Sequence, residues 1–499
     1  MKKLLSVVIA LSLVFSFTGC DLLESLFDDG LPKHEESHCL CLDKAVGLGE
    51  HTCKEELPWK AVSTSEELVA AITVGEPVYL YLKEDISIDE GFEIPAGAEV
   101  NICLGGQNLI ASAINYGKLN ITDCTEQESY DHLWYSCKNY TIMTCGGGET
   151  NLYAGVLSSA DAAPDGCVMI ANSEIDDKAT IRMYGGKVLN DHKTNRAGAN
   201  IRLEKNGIFY MYGGTVQGGN VETKEISERM GGSICLTDAG GAEMYMYGGE
   251  ITGGKIGVLN AMGKLELTTE GGIGGNIGVE AGRLHIYGGR VSEGYAAGHG
   301  GNIASGEGAT DFVFENCTII DGVSTCYGGN IYLNGGAEHG ALLKNCTVEA
   351  GEGEGGGGNI FFQDGGKNFV VENSRIIDGY AKREPSGGIV CGGGEYLVTF
   401  KGNNEFYDNY GCDIQLRNNG GVYAKISIAQ ITGTEQIFLA GGKHVIQATV
   451  DSLPNMMDIF VPADGNVLYQ QLVDILDENG NVVGQQNVIM INPDGGTGS

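Results

Sequence analysis

The sequence is poor in proline, in basic residues and, beyond its N-terminal segment, in long apolar runs. Nine prolines among 499 residues argue against collagen and against a proline-rich disordered chain. Lysine and arginine together number 31 against 65 aspartates and glutamates, which gives a formal net charge of −34. A chain this acidic repels the phosphates of nucleic acid and of anionic lipid, so neither is expected as a partner. No later stretch is apolar enough to span a bilayer as a helix.

Motifs of several enzyme and metal-binding classes are also missing. The chain contains no nucleophile elbow, no P-loop and no calcium loop of the EF-hand spacing. Between residues 181 and 414 no segment shows helical periodicity. What remains is a chain of short apolar runs separated by turns, and its 80 glycines suit those turns.

Residues 1–19 have the three parts of an export signal. Two lysines form a basic start, residues 4–17 are apolar, and small residues precede Cys20. Residues 17–20 (Phe-Thr-Gly-Cys) resemble a bacterial lipobox, although such boxes usually carry leucine where this chain has phenylalanine. The resemblance implies that Cys20 is lipidated and anchors an exported protein to the cell membrane, on its extracellular side. The alternative is an ordinary secretory signal peptide.

One phrase, Gly-Gly-Asn-Ile or a close variant, recurs between residues 181 and 414 together with an alternating strand that ends in two small residues. Its spacing drifts between about 20 and 40 residues, which is the period of a solenoid. Alignment of the copies gives two apolar columns two residues apart, as expected for strands that turn one side toward a core. The columns hold Ile181, Phe209, Met244, Leu284, Phe312, Ala341 and Phe369, and then Met183, Met211, Met246, Ile286, Phe314, Leu343 and Val371.

The isoleucine of the recurring phrase forms a third apolar column, and its asparagine forms a polar one. The isoleucine column is predicted to hold Ile201, Ile234, Ile256, Ile277, Ile303, Ile331, Ile360 and Ile414. The asparagines are Asn200, Asn276, Asn302, Asn330 and Asn359. We expect their amides to bond to the coils above and below. These patterns predict an all-β protein with a right-handed parallel β-helix over residues 101–432.

Segments on either side of the repeat are predicted to cap the solenoid. Residues 59–100 form the N-terminal cap, in which Ser65 caps a short amphipathic helix that covers the end of the core. Residues 433–499 form a C-terminal cap and tail. Cys103 and Cys124 lie about one coil apart, where they could stack and form a disulfide.

Residues 20–37 form an acidic tether, and the following segment, 38–58, is rich in cysteine and histidine. Its tetrahedral zinc ligands would be Cys39, Cys41, His51 and Cys53, although Cys-x-Cys is tighter than the usual spacing. Disulfide bonding in an oxidising exterior is the alternative, and an odd number of cysteines leaves one thiol over or paired elsewhere.

Two groups of bacterial surface proteins resemble this chain across about residues 38–430. The cysteine-rich segment, the capping helix, the strand at 101–106 and residues 122–124 (Thr-Asp-Cys) resemble large surface proteins of gut Firmicutes. The Gly-Gly-Asn-Ile phrases, with strand ends such as residues 314–316 (Phe-Glu-Asn), are similar to the repeats of chlamydial polymorphic outer-membrane adhesins. The resemblance implies a pectin-lyase-like β-helix, a fold that carries adhesins, polysaccharide lyases and glycosidases alike.

Tyrosines recur at the outward positions of the strands that supply the core columns. Two adjoining outward columns hold Tyr184, Tyr212, Tyr247 and Tyr287, and then Arg182, Tyr210, Tyr245 and His285. One interpretation is a ladder that only stabilises the sheet; the other is a contact surface for a glycan or an extended peptide. The second interpretation favours a non-catalytic, adhesin-like rod on the cell surface whose six tyrosines bind the ligand.

The alternative function is that of a polysaccharide lyase or glycoside hydrolase, which needs carboxylates clustered on the outer faces of adjacent coils. The outward column continues into Glu315, Lys344 and Glu372, whose alternating sign predicts an ion ladder across the coils. Asp321 and Asp378 recur at matching turns, but a whole coil separates them. The sequence therefore favours binding over catalysis.

Overall fold

The computed structural model describes most residues between 57 and 492, and all of them belong to one compact unit. The described ranges are 57–125, 133–136, 138–159, 166–237, 240–259, 265–266, 271–334, 340–363, 369–384, 386–392, 397–417, 424–428, 431–432, 437–440, 444–448, 460–462, 467–476 and 482–492. The structure is 57% strand and 3% helix, and its strands pair in parallel from coil to coil. The predicted all-β class and the parallel β-helix are confirmed.

Successive coils stack strand on strand to give three parallel sheets, here named the first, second and third face. The first face contains Lys60–Val62, Val78–Leu82, Glu99–Cys103, Lys118–Thr122, Glu149–Leu152, Ala179–Met183, Gly207–Met211, Glu243–Met246, Ala341–Lys344, Phe369–Glu372, Leu397–Lys401, Ala424–Ile428 and His444–Ala448. The second face contains Trp134–Ser136, Val156–Ser159, Lys187–Thr194, Thr215–Thr223, Glu250–Thr252, Gly289–Ser292, Cys317–Ile320, Thr347–Glu349, Arg375–Ile377, Asn404–Tyr407 and Ile431–Thr432. The third face contains Tyr140–Cys145, Cys167–Asn172, Ile201–Leu203, Ile234–Leu236, Ile331–Asn334, Ile360–Gln363, Ile389–Cys391, Ile414–Arg417, Ile437–Ala440 and Phe460–Pro462.

Long strands bend at the corners and join two faces. Ile86–Ile94 and Leu109–Asn115 join the second face to the third, and Ile277–Ile286 and Ile303–Glu315 join the third to the first. A short corner sheet continues from Thr215–Thr223 through Lys255–Leu259, Tyr295–Ala296, Val323–Ser324, Glu352–Gly353 and Tyr380–Ala381.

In the part of the chain that the structure describes, strands pair antiparallel at two places. Leu265–Glu266 pairs with Lys255–Leu259, while Val467–Leu476 and Val482–Asn492 form a hairpin whose second strand also pairs with His444–Ala448. Parallel stacking itself extends past residue 432, where the sequence repeat fades, as far as Phe460–Pro462.

The two predicted core columns lie where the strand alternation placed them. Ile181 stacks on Phe209, Phe209 on Met244 and so on to Phe369, and the Met183 column runs in the same register to Val371. All of these side chains are buried and belong to one continuous apolar core. Burial of such columns supplies the main driving force for coil stacking, about 25 cal/mol per Å² of apolar surface.

The isoleucine column of the third face differs from the prediction at one position. Ile234 stacks directly on Ile277, so Ile256 is not between them. Ile256 instead lies in the corner sheet beside Val221, in a small separate cluster with Ala199 and Ala296. The prediction also omitted one member of the column: Ile389 stacks between Ile360 and Ile414.

The asparagine ladder is confirmed. The Nδ2 atom of Asn276 donates to Oδ1 of Asn302 at 2.7 Å, Asn302 donates to Asn330 at 2.7 Å, and Asn330 donates to Asn359 at 2.8 Å. Asn200 donates instead to the hydroxyl of Ser233, which replaces asparagine in that coil. The ladder satisfies buried amides inside a turn, where an unmade hydrogen bond is costly.

A single α-helix in the described part of the chain, Ser65–Ala71, covers the N-terminal end of the core through its buried residue Leu68. The prediction of Ser65 as its N-cap is wrong: Thr64 has the extended backbone of an N-cap and accepts from the N–H of Glu67 at 3.2 Å. The Glu67 carboxylate in turn accepts from the N–H of Ser63 at 2.8 Å, which is one residue before the N–H that the carboxylate of a capping box accepts from. Within the described residues, no helix combines the length and the apolarity that crossing a membrane requires.

Candidate ligand-binding face

The outward tyrosines of the first face form one continuous stack of rings. Ring centroids are separated by 5.1 Å between Tyr184 and Tyr212, 5.2 Å between Tyr212 and Tyr247, and 5.4 Å between Tyr247 and Tyr287. Their planes differ by 10°, 7° and 22° respectively. The stack follows from the fold, because neighbouring parallel strands lie about 4.8 Å apart and place the same side chain directly above its copy.

Tyr153 extends this stack by one coil, and the sequence analysis missed it. Its ring lies 5.0 Å from that of Tyr184. The signal was present, because residues 152–155 (Leu-Tyr-Ala-Gly) match residues 183–186 (Met-Tyr-Gly-Gly) in the next coil. We call these five tyrosines the outer ladder.

A second row of side chains, here called the inner row, runs beside the outer ladder. Arg182, Tyr210, Tyr245 and His285 occupy it in direct register, as predicted. Arg182 lies over the ring of Tyr210 at 5.7 Å, a cation–π distance, and the Tyr210 and Tyr245 rings stack at 5.2 Å. The outer ladder and inner row together form the tyrosine face.

His285 closes the inner row at its C-terminal end. Its Nε2 atom lies 2.8 Å from a carboxylate oxygen of Asp311, and its Nδ1 atom lies 3.0 Å from the hydroxyl of Tyr287. The ring meets Tyr245 edge to face. His285 therefore links the two rows to each other and to the next coil.

Charged groups along the tyrosine face are matched by opposite charges. Arg182 pairs with Glu149 at 3.1 Å, and Lys178 pairs with Glu243 at 3.1 Å. The Tyr245 hydroxyl donates to the same Glu243 at 2.9 Å. Arg182 and Lys178 are thus each neutralised by a carboxylate, and Asp311 beside His285 adds a further carboxylate at the C-terminal end of the inner row.

Exposure of the tyrosine face is greatest at its centre. Tyr212 is 37% exposed and Tyr247 is 45% exposed, while Tyr184, Tyr210 and Tyr245 are half-buried. Because each central ring is covered on both sides by its neighbours, a ligand would meet ring edges and phenol oxygens rather than open ring faces. These groups offer hydrogen bonds and apolar contact at a regular spacing of one coil.

Burial keeps several hydroxyls of the face protonated at neutral pH. Burial raises the pKa of Tyr184, Tyr210 and Tyr287 above the usual value. Burial, and then the hydrogen bond to Glu243, raise the pKa of Tyr245 to about 12. These phenols therefore stay uncharged over the physiological range, and the hydroxyl of Tyr245 is already used in its bond to Glu243.

The ion ladder predicted beyond the tyrosines is present in register. Glu315 stacks beside Lys344 and Lys344 beside Glu372, with a Lys344–Glu372 separation of 4.0 Å. Asp321 and Asp378 occupy equivalent left-handed turns in different coils, with φ angles of 56° and 51°. These groups play a structural part in the turns and on the outer surface of the coils.

Within the described residues, one group of three potential metal ligands comes together: Cys103, Asp123 and Cys124. Their ligand atoms all lie within 4.8 Å of one another. The predicted proximity of the two cysteines is therefore confirmed. One carboxylate oxygen of Asp123 accepts from the N–H groups of Gly106 and Thr125 and from the Thr125 hydroxyl, which fixes the turn. The set offers two thiols and one carboxylate, and zinc takes sulfur and carboxylate ligands of this kind once the thiols are deprotonated.

The other predicted site residues lie outside the described residues. They are the lipidation residue Cys20 and the zinc ligands Cys39, Cys41, His51 and Cys53. The sequence analysis also missed a neighbouring signal: residues 34–38 (His-Glu-Glu-Ser-His) have the His-Glu-x-x-His spacing of a metal-binding pair. The lipidation of Cys20 and the zinc site stay predictions.

No protein-family model, no curated protein and no solved structure matches this chain. The class defined by the geometry is a parallel β-helix that carries a stacked tyrosine face on one of its three sheets.

Proposed function

We propose that this protein is a non-catalytic, lipid-anchored rod on the cell surface that binds an extended glycan or peptide along its tyrosine face. The observation that carries the proposal is the row of partly exposed tyrosines centred on Tyr212 and Tyr247. Most other large apolar side chains of the described coils are buried, so this row is a distinct feature of the outer surface.

The shape of the face favours a linear ligand. Its groups repeat once per coil in a line along the stacking direction, so a chain lying parallel to that line makes the same contact at each repeat. Each aromatic contact contributes about 0.5–1.5 kcal/mol. Single-site binding would be weak, and many copies on one membrane would raise the effective affinity.

The charge balance of the face favours a neutral ligand. Arg182 and Lys178 are paired with carboxylates, and a raised pKa keeps Tyr184, Tyr210, Tyr245 and Tyr287 uncharged. An anionic ligand would be repelled by the acidic remainder of the chain. Neutral glycans and uncharged polar peptides fit both conditions.

Replacing Tyr212 and Tyr247 together by phenylalanine is expected to weaken ligand binding without loss of stability. The change keeps both rings in the stack and removes only the exposed hydroxyls, which are the hydrogen-bonding groups that a ligand would reach. Binding is measured by affinity electrophoresis against neutral and acidic polysaccharides and by an extended-peptide array. Thermal melting of the same samples measures stability.

A matched control uses the exposed pair Tyr380 and Tyr410, whose rings also lie in contact at 4.9 Å. Phenylalanine at these two positions should leave binding unchanged. Serine at Tyr212 and Tyr247 is a second comparison, because it breaks the stack and should lower the melting temperature as well. If the phenylalanine pair binds as the parent does while the serine pair melts lower, the tyrosines are a stabilising ladder only. Shortening of a polysaccharide in incubations with Ca²⁺ or Zn²⁺ would instead support the lyase or hydrolase alternative.

The anchor is tested separately. Cys20→Ser is expected to move the protein from the membrane fraction to the medium, because no acyl chain can be attached to serine at this position. The measurement is fractionation of a host that processes bacterial lipoproteins, followed by the mass of the mature N-terminus. Cys39→Ser is the control and should stay with the membrane. A parent protein already free in the medium, with an unmodified N-terminus, would indicate an ordinary signal peptide.

A further inference from the structure

Two cysteines occupy the same position in consecutive coils at the corner between the first and second faces. Thr318 stacks on Thr347 in parallel register, so the preceding residues Cys317 and Cys346 also lie one above the other. Their Sγ atoms are 3.3 Å apart. Neighbouring parallel strands hold equivalent Cα atoms about 4.8 Å apart, within the range that a disulfide spans.

The backbone holds both side chains in the same direction. Asn316 and Asn345, the residues before the two cysteines, share a left-handed conformation with φ angles of 51° and 53°. Their side chains bond to each other, since Nδ2 of Asn345 donates to Oδ1 of Asn316 at 3.1 Å. The corner is therefore repeated in both coils, and the two Cβ atoms project in parallel into the interior.

In the two coils that follow, the residue at the position of Cys317 and Cys346 makes a polar contact with the preceding coil. Ser374 follows Cys346 in the column, and its hydroxyl oxygen accepts from the N–H of Cys346 at 3.1 Å. Asn404 follows Ser374, and its Oδ1 atom accepts from the N–H of Ser374 at 3.0 Å. Between Cys317 and Cys346 the corresponding contact from coil to coil is made by the two sulfur atoms.

We propose that Cys317 and Cys346 are a modification site at which oxidation forms a disulfide between consecutive coils. Two thiols lose two protons and two electrons, an S–S bond forms, and a disulfide-bearing oxidant such as a thiol–disulfide oxidoreductase is reduced to two thiols. One cysteine attacks the oxidant to give a mixed disulfide, and the other then displaces the reduced oxidant.

Burial determines when this exchange takes place. Cys317 is 3% exposed and Cys346 is 2% exposed, so an oxidant does not reach either sulfur in the closed coil. Contact with the Cys346 thiol and burial raise the pKa of Cys317, while the same contact lowers the pKa of Cys346, so lack of access rather than protonation keeps the closed pair from an oxidant. The bond therefore forms while the coils are assembling, and the finished protein shields it from reductants.

The experiment uses the full-length chain exported into an oxidising compartment and purified without reductant. Thiols are alkylated in denaturant, the chain is digested, and peptides are identified by mass. We expect a linked pair of peptides containing Cys317 and Cys346, with neither residue alkylated. We also expect the link to survive dithiothreitol under native conditions and to open when denaturant is added.

Four results decide the question. Alkylation of both cysteines without prior reduction would overturn the proposal, as would a link from either one to a different cysteine. Opening of the link by native dithiothreitol would overturn the shielding. A Cys317→Ser, Cys346→Ser double variant should lack this linked pair and have a lower melting temperature than the oxidised parent. Reduction should then lower the melting temperature of the variant by less than it lowers that of the parent. An unchanged melting temperature in the variant would show that the bond does not hold the coils together.

Discussion

Gly329→Ala is expected to destabilise the β-helix by more than about 3 kcal/mol, or to prevent folding of the coils around it. A Cβ atom at this position would collide with the backbone nitrogen of Glu352 and the carbonyl oxygen of Gly358, both on the adjacent coil. Rigid backbone cannot move aside as a flexible side chain can, so the coils would have to separate. Urea denaturation of the purified variant measures the loss in free energy of unfolding.

Gly353→Ala is the matched control for that change. Gly353 lies in the coil that follows Gly329, and its added Cβ would be 3.4 Å from the carbonyl oxygens of Gly356 and Gly357, with ordinary contacts. Alanine also restricts the unfolded chain, so the net change should stay within about 1 kcal/mol. Equal destabilisation by both substitutions would show that the glycines of the repeat are not selected by close approach of the coils.

This close approach explains the recurring phrase itself. In Gly328-Gly329-Asn330-Ile331 the first glycine has a left-handed φ of 66°, the second meets the next coil, the asparagine continues the ladder and the isoleucine enters the core. Each position thus has a separate physical requirement. That is why a strand period of two and a recurring turn were sufficient to predict the parallel coils from the sequence.

The prediction of the isoleucine column was wrong where two segments have the same sequence. Residues 256–258 and 277–279 both have the sequence Ile-Gly-Val, but only the second follows an asparagine of the ladder. Ile256 lies in the corner sheet because Thr215–Thr223 pairs first with Glu250–Thr252 and then, beyond a bend, with Lys255–Leu259. Alternation tells which side of a strand a residue faces, and it does not tell where the chain turns.

In the candidate site too, some features could be predicted from the sequence and others could not. Alternation placed Tyr212 and Tyr247 in one outward column, and their contact follows from the coil spacing. The partners of His285, which are Asp311 and Tyr287, depend on side-chain rotamers and could not be derived from spacing. The structure also made the predicted contact surface more specific, because rings that cover one another present their edges and hydroxyls to a ligand.

Asn330→Ala is expected to lower the free energy of unfolding by about 4 kcal/mol or more. Asn330 is fully buried and makes four hydrogen bonds through its side chain. It donates to the carbonyl of Glu349 at 2.7 Å and to Oδ1 of Asn359 at 2.8 Å, and it accepts from the N–H of Gly322 at 2.9 Å and from Asn302 at 2.7 Å. Alanine leaves all four partners without this bond inside the turn, at about 1–3 kcal/mol for each unsatisfied group.

Two further variants separate the ladder from a general effect of removing asparagine. Asn345→Gly removes an exposed asparagine whose left-handed backbone glycine adopts freely, so its effect should be below about 1 kcal/mol. Asn330→Asp keeps an oxygen that accepts the two hydrogen bonds of Oδ1. It replaces the donating NH₂ group by a carboxylate oxygen, which then lies against the carbonyl oxygen of Glu349 and Oδ1 of Asn359. Burial and those oxygens raise the pKa of the new carboxyl in the folded state. The loss in free energy of unfolding relative to the parent should therefore become smaller as the pH falls and the carboxyl is protonated. If Asn330→Ala unfolds at the same urea concentration as Asn345→Gly, the ladder does not hold the coils together.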